Sequence, residues 1–171
     1  MREATTPRLE GSIRKGLLFT DFLNPGTYTI DNGSGGAHVG AFRTSLTLPS
    51  NLVWSNEDSI TTVSRSQDLT VTWTGVDSNR ERVDISGSSA NTNAGVNAAF
   101  QCTAEANLGT FTVPSWVLSA LPASGPSDQG PVGFLAVGKA NLRGTGTFRA
   151  PGVDSGVQQY ELLQLKNVTY Q

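Results

Sequence analysis

A few small groups of residues have types and spacings that could support chemistry. The run Asp77-Ser-Asn-Arg-Glu81 sets side-chain oxygens at alternate positions, Asp77, Asn79 and Glu81, as a calcium loop does. It lacks the turn glycine at the sixth place and the distal glutamate, and Arg80 and Arg82 can neutralise its acids in solvent. Calcium is therefore the one cofactor the chain offers, beside the plainer reading of a solvated loop. His38 is the only histidine, so any histidine-based triad must run through it, and it sits among glycines in Ser34-Gly-Gly-Ala-His38. No Gly-x-Ser-x-Gly elbow frames a serine. A glycosidase needs two carboxylates about 5 to 9 Å apart; Glu57, Asp58, Glu105 and Glu161 are available, and no spacing selects a pair. Trp54, Trp116 and Tyr28 are candidates for stacking on sugar rings, because aromatic faces pair with the C–H faces of carbohydrates while amides and hydroxyls take the hydroxyl groups. Lys15, Asn167 and Glu105 have the order of an intramolecular isopeptide triad: an early lysine, a late asparagine and an acid between them.

The elements that must carry these residues read as strands. In Leu69-Thr-Val-Thr-Trp-Thr, apolar Leu69, Val71 and Trp73 alternate with three threonines, the period of a strand with one buried side. This places Trp73 in the core. With Arg82-Val-Asp-Ile-Ser-Gly87 beyond a polar loop, the pattern predicts an antiparallel hairpin. Further strands are expected at residues 16–23, 27–30, 39–48, 52–54, 59–63, 96–105, 109–113, 132–139, 143–149 and 157–166. Residues 86–95 and 122–131, rich in Ser, Gly, Asn and Pro, read as loops. Pro114-Ser-Trp-Val-Leu-Ser-Ala-Leu121, bounded by prolines, reads as a short helical plug with Trp116 or Val117 and Leu121 turned inward. Residues 1–14 read as an N-terminal arm or tail, and residues 15–171 as one domain.

Composition limits the partners. Of 171 residues, 37% are hydrophobic and only 15% charged, against roughly 25% charged in ordinary soluble domains. Serine, threonine, amides and 19 glycines supply the polarity instead, which favours strands and turns over surface helices. A net charge of -2 provides no basic field for nucleic acid. Cys102 is the single cysteine, so no intrachain disulfide or multi-cysteine metal site is available. It reads as a small core hydrophobe. The opening Met1-Arg-Glu-Ala-Thr-Thr-Pro-Arg has no apolar stretch, so no signal peptide is expected in the chain as written, and no apolar run is long enough to insert in a membrane. Asn32-Gly-Ser34 and Asn167-Val-Thr169 match the glycosylation tripeptide, a pattern that also occurs by chance.

The succession Pro25-Gly-Thr-Tyr-Thr, Gly36-Ala-His-Val-Gly-Ala-Phe, Leu52-Val-Trp54, Leu69-Thr-Val-Thr-Trp-Thr-Gly75, Phe100-Gln-Cys, Gly109-Thr-Phe-Thr-Val-Pro114, Val117-Leu118 and Leu121-Pro122 resembles an uncharacterised β-rich module of long secreted acidobacterial proteins. The resemblance spans residues 17 to 140 and implies an extracellular or cell-surface setting. It implies no activity and brings no functional residues with it. The Trp-bearing strand is similar to that of fibronectin and immunoglobulin-like sandwiches by fold analogy alone.

The expectation is an all-β chain: a single, mostly antiparallel β-sandwich, immunoglobulin-like or jelly-roll-like, with a helical plug near residues 114–121. The expected role is a non-catalytic structural or adhesion module of a bacterial surface or secreted protein, self-associating through sheet edges. Binding of a polysaccharide is the alternative, and a hydrolase the third reading. Free edges and self-association distinguish the first, a solvent-facing row of aromatics the second, and a pocket joining His38 to serine and aspartate the third.

Overall fold

A computed structural model describes residues 24–124, 133–142 and 146–171. The expected 1–14 arm, the strand at 16–23 and Lys15 lie outside these residues. The chain is all-β. Its strands are β1 (Gly26–Asp31), β2 (Arg43–Leu48), β3 (Val53–Trp54), β4 (Thr62–Val63), β5 (Leu69–Thr74), β6 (Glu81–Asn91), β7 (Val96–Glu105), β8 (Thr110–Val113), β9 (Gly133–Asn141), β10 (Thr147–Ala150), β11 (Val153–Val157), β12 (Glu161–Asn167) and β13 (Thr169–Tyr170). One short helix, α1 (Ser115–Leu118), stands where the prolines predicted it.

A larger antiparallel sheet in the order β12-β9-β6-β7 packs on a smaller one, β3-β5-β8. Strand periodicity decides what lies between them. Val71 and Trp73 of β5, Val83 and Ile85 of β6, Ala104 of β7, Val113 of β8 and Leu135 and Val137 of β9 form one buried cluster. The threonines of β5 face away from the core, and Thr70 reaches Thr112 across the strand pair at 3.2 Å. The indole nitrogen of Trp73 donates to the carbonyl of Ala106 at 3.1 Å, so the ring is buried without an orphaned donor.

The expected hairpin is not formed. β5 pairs with β3 and β8, whereas β6 pairs with β7 and β9, so residues 75–80 cross from one sheet to the other. Each strand carries its own inward row, and two such rows meet more of the core face to face than side by side. Residues 86–91, expected as loop, continue β6, because Gly87 and Ser89 extend its inward row as small residues. Residues 39–42 precede β2 rather than belonging to it. The strand expected at 157–166 is β12, which begins only at Glu161. β10, which overlaps the strand expected at 143–149, and β11, which the pattern does not predict, form a hairpin around Pro151-Gly152 inserted between β9 and β12. This hairpin meets β1–β2 through Phe42 and Phe148, whose rings stack at 4.7 Å. On the α1 segment the inward residues are Leu118 and Leu121, and Trp116 points out. Val117 packs partly against the core, so of the two alternatives it is Val117 that joins Leu121 on the inward side.

The last strand closes the sandwich. β13 runs parallel to β4, and Tyr170 is fully buried with its hydroxyl donating to the Phe134 carbonyl at 2.9 Å. Gly87 makes the space: a Cβ there would overlap both the Tyr170 hydroxyl and the Phe100 ring. Gly87→Ala is therefore expected to lower stability by about 1–3 kcal/mol through overpacking. Urea denaturation would check this, and an unchanged midpoint would mean that Tyr170 is not seated under β6.

Candidate functional site

The chemically richest part of the molecule is the sandwich end where β6 begins and β9 finishes. Glu81, Val83 and Ile85 share the inward face of β6, and Leu135, Val137 and Lys139 the inward face of β9. The periodicity that buries the aliphatic residues therefore also buries one acid and one amine. Their side chains are each 2% exposed, and Lys139 Nζ lies 3.1 Å from Glu81 Oε2.

Every polar atom named in this pair has a partner. Lys139 Nζ also donates to the carbonyl of Gly75 at 3.0 Å. That carbonyl is presented by a residue in the left-handed region, at φ 79°, a conformation suited to glycine. The backbone N–H of Asp77 donates to Glu81 Oε2 at 2.8 Å, and the Tyr160 hydroxyl donates to Oε1 at 2.6 Å. Tyr160 is held in turn by its own N–H, which donates to Asn141 Oδ1 at 3.0 Å, while Asn141 Nδ2 donates to the Gln158 carbonyl. Burial first, then the hydrogen bond to Glu81 and the negative charges of Glu81 and Asp77, push the Tyr160 phenol far above its usual range. Burial does the same to Tyr170.

Tyr160 also faces outward, into a cleft of about 260 Å³ lined by Ser45, Leu46, Thr47, Arg80 and Asn141. Pockets for drug-sized ligands occupy about 300–1,000 Å³, so this cleft is small for such a ligand. On the outer face of the large sheet, Asp84 is buried between Arg82, whose Nε is 3.1 Å from Oδ2, and Thr103, whose hydroxyl donates to Oδ1 at 2.8 Å. Oδ1 also accepts from Arg82 Nε at 3.2 Å, whereas Oδ2 is buried beside the guanidinium with no hydrogen-bond partner of its own.

The candidates named from the sequence are distributed as follows. Asp77, Asn79 and Glu81 do not converge: the Asp77 carboxylate accepts from the Asn79 N–H and faces Arg80, while Glu81 turns inward to Lys139. Among the described residues no cluster of three or more metal-ligating side chains is present. Trp54 is 4% exposed, with its indole nitrogen donating to Asn56, so neither ring face is open for stacking. Trp116 is 75% exposed. Tyr28 is half-buried on β1, its hydroxyl bonded to the Asn24 carbonyl. Tyr28 opposes Leu46 near the Tyr160 cleft, and Trp116 follows the β8 residue Val113, which pairs with Leu69 at the far end of β5. The two rings therefore do not form one platform.

Glu105 and Asn167 are exposed on β7 and β12, the opposite edges of the large sheet, so they are not neighbours for an isopeptide triad. Glu161, Ala140, Arg82 and Glu105 form one row across the four strands. Three strand spacings separate the two acids by about 14 Å, beyond the span of a glycosidase pair. His38 is exposed in the turn between Gly35 and Gly40. Cys102 packs against the core, and burial raises its thiol above the ordinary value, which keeps it protonated. Among the described residues no helix is long and apolar enough to cross a membrane.

Two outcomes follow from this geometry. Lys139→Met leaves the Glu81 carboxylate buried without its counter-charge and is expected to cost about 3–5 kcal/mol. Exposed Thr112→Ala should stay within about 0.5 kcal/mol. Chemical denaturation of both variants tests the contrast, and equal midpoints would contradict it. The second outcome concerns pH. Unfolded tyrosines release their protons from about pH 10, while Tyr160 and Tyr170 keep theirs in the folded chain. Their contribution to stability is therefore complete below that pH and is lost as pH rises past it. Urea midpoints should fall on the alkaline side, less steeply in Tyr160→Phe, and a slope unaffected by that substitution would refute the assignment. Comparison with family models, curated proteins and solved structures found no match to this chain.

Proposed function

We propose that the chain is a non-catalytic structural or adhesion module of a bacterial surface or secreted protein, which engages a neighbouring protein by strand addition at the β7 edge. The observation that carries this reading is the edge itself. β7 is ten residues long and pairs only with β6 among the described residues. Its sequence, Val-Asn-Ala-Ala-Phe-Gln-Cys-Thr-Ala-Glu, holds no proline or lysine and has one charge, at its end. Edges that must stay unpaired are ordinarily short, bulged, or guarded by lysine or proline. A long regular edge without these guards is a template for another strand, with backbone hydrogen bonds supplying affinity. The opposite edge, β12, is shorter and carries Glu161 and Lys166. The polar groups at the base of β6 support the same reading from another direction, since they are bonded to each other rather than directed at a substrate.

A second reading rests on Trp116. One ring with 75% exposure at the tip of the sandwich is a contact for a sugar or a protein surface.

Sedimentation of the wild-type chain over a range of concentrations should show reversible association. Ala99→Lys with Gln101→Lys, both at exposed β7 positions, should weaken it by about tenfold or more, equivalent to about 1.4 kcal/mol. A chain that is monomeric throughout, or a variant that associates unchanged, would overturn self-association through β7. Tryptophan fluorescence titration of the monomer with a polysaccharide panel separates the second reading: saturable binding that is lost in Trp116→Ala would favour it.

A further inference from the structure

We propose that Glu81 and Lys139 condense into an intramolecular amide that covalently staples β6 to β9. Four features of the site converge on this bond.

The first is placement. Nζ sits 3.1 Å from Oε2, and the carboxyl carbon is one bond beyond that oxygen, so amine and electrophile are already held in one small enclosure. Fixing two reactants at such a separation removes the translational and rotational part of the barrier to amide formation. The second is desolvation. Both side chains are 2% exposed, and separated charges are poorly supported there compared with water. The neutral pair formed by moving a proton from Nζ to Oε2, and the neutral amide that follows, avoid that penalty.

The third feature is that the two carboxyl oxygens have different partners. Oε1 accepts from the Tyr160 hydroxyl at 2.6 Å, and Oε2 accepts from the Asp77 N–H at 2.8 Å and faces Nζ. Tyr160 is therefore placed to stabilise negative charge on Oε1 as the carbon becomes tetrahedral, the role of an oxyanion donor. Its phenol keeps its proton for that purpose, because burial and the neighbouring acids hold it in the neutral form. Oε2 is the oxygen positioned to leave.

The fourth feature is that the product keeps the main partners of the reactants. In the amide, Oε1 remains as the carbonyl and still accepts from Tyr160, and the remaining N–H of Nζ still donates to Gly75. Only the Asp77 N–H loses its acceptor, and Asp77 is exposed to water. A cleft lined by Ser78, Asn79, Glu81 and Arg82 gives the released water a way out.

The reaction balances without a co-reactant. The ammonium transfers one proton to Oε2, leaving an amine and a carboxylic acid. The nitrogen lone pair attacks Cδ, forming the C–N bond. A second Nζ proton passes to the departing Oε2 hydroxyl, the C–Oε2 bond breaks, and one water leaves. The sum is carboxylate plus ammonium giving amide plus water, with no oxidation or reduction. The bond would join residues 81 and 139 on neighbouring strands, giving a chain with a single cysteine the kind of covalent tie that a disulfide provides elsewhere.

Intact mass spectrometry of the purified, denatured chain tests this directly and is independent of any association through β7. The expected result is a species lighter than the sequence mass by one water, with a branched peptide in the digest linking the fragments that hold Glu81 and Lys139. Lys139→Arg should have its full sequence mass. Tyr160→Phe should acquire the lighter mass more slowly after refolding. A folded wild-type chain that keeps its full mass after prolonged incubation would overturn the proposal and leave the pair as an ion pair. So would a loss of water that persists in Lys139→Arg, which would place the dehydration elsewhere.

Discussion

One acid and one amine buried at the same end of a sandwich constrain everything around them. Glu81 and Lys139 can occupy the inward rows of β6 and β9 only if donors and acceptors complete their hydrogen bonding, because an isolated charge in that setting costs far more than the fold can spare. Those partners come from five separate places: the Gly75 carbonyl after β5, the Asp77 N–H in the sheet-to-sheet crossing, β6 and β9 themselves, and Tyr160 ahead of β12. The cluster thus determines how the crossing leaves one sheet, how the next begins, and where the chain must return after the β10–β11 hairpin. It links local backbone geometry, in the left-handed Gly75, to the mutual placement of the two sheets.

The opposite end of the sandwich is organised by packing. Tyr170 fills a space that Gly87 leaves open, and β13 joins β4 in parallel. Leu118 and Leu121 close the same region beneath α1. The two ends therefore use different physics. A polar network tolerates little rearrangement because each lost partner strands another group, whereas an aliphatic end tolerates volume-conserving change. The β7 edge lies between them, and among the described residues that strand pairs with β6 on one side only.

Much of this architecture was legible in residue order. Alternation in Leu69-Thr-Val-Thr-Trp-Thr placed Trp73 inside, and prolines 114 and 122 bracketed the short helix. The error over the β5–β6 hairpin has a physical cause: alternation reports which face of a strand is buried and says nothing about which strand lies beside it. The polar end carried a usable signal as well. Lys139 follows Leu135 and Val137 at every second position, and Glu81 precedes Val83 and Ile85 in the same way. A charge in phase with a buried row must either end the row or find a partner within it. Taken alone, Asp77, Asn79 and Glu81 looked like oxygen ligands, because spacing on a line does not show that residues 77–80 turn in solvent between the sheets while Glu81 begins β6 facing the core.

The sequence by itself determined the class of the fold, the inward face of most strands and the sparsity of charge, because each of these follows from period-two patterning and composition. Only the tertiary structure decided which strands are neighbours, that Trp54 is enclosed while Trp116 is open, that Glu105 and Asn167 stand on opposite edges, and that Glu81 meets Lys139 across 58 residues of chain. These depend on how the sheets stack and where each crossing lands. Contacts between distant residues are set by the packing of whole faces rather than by any local preference of the residues that meet.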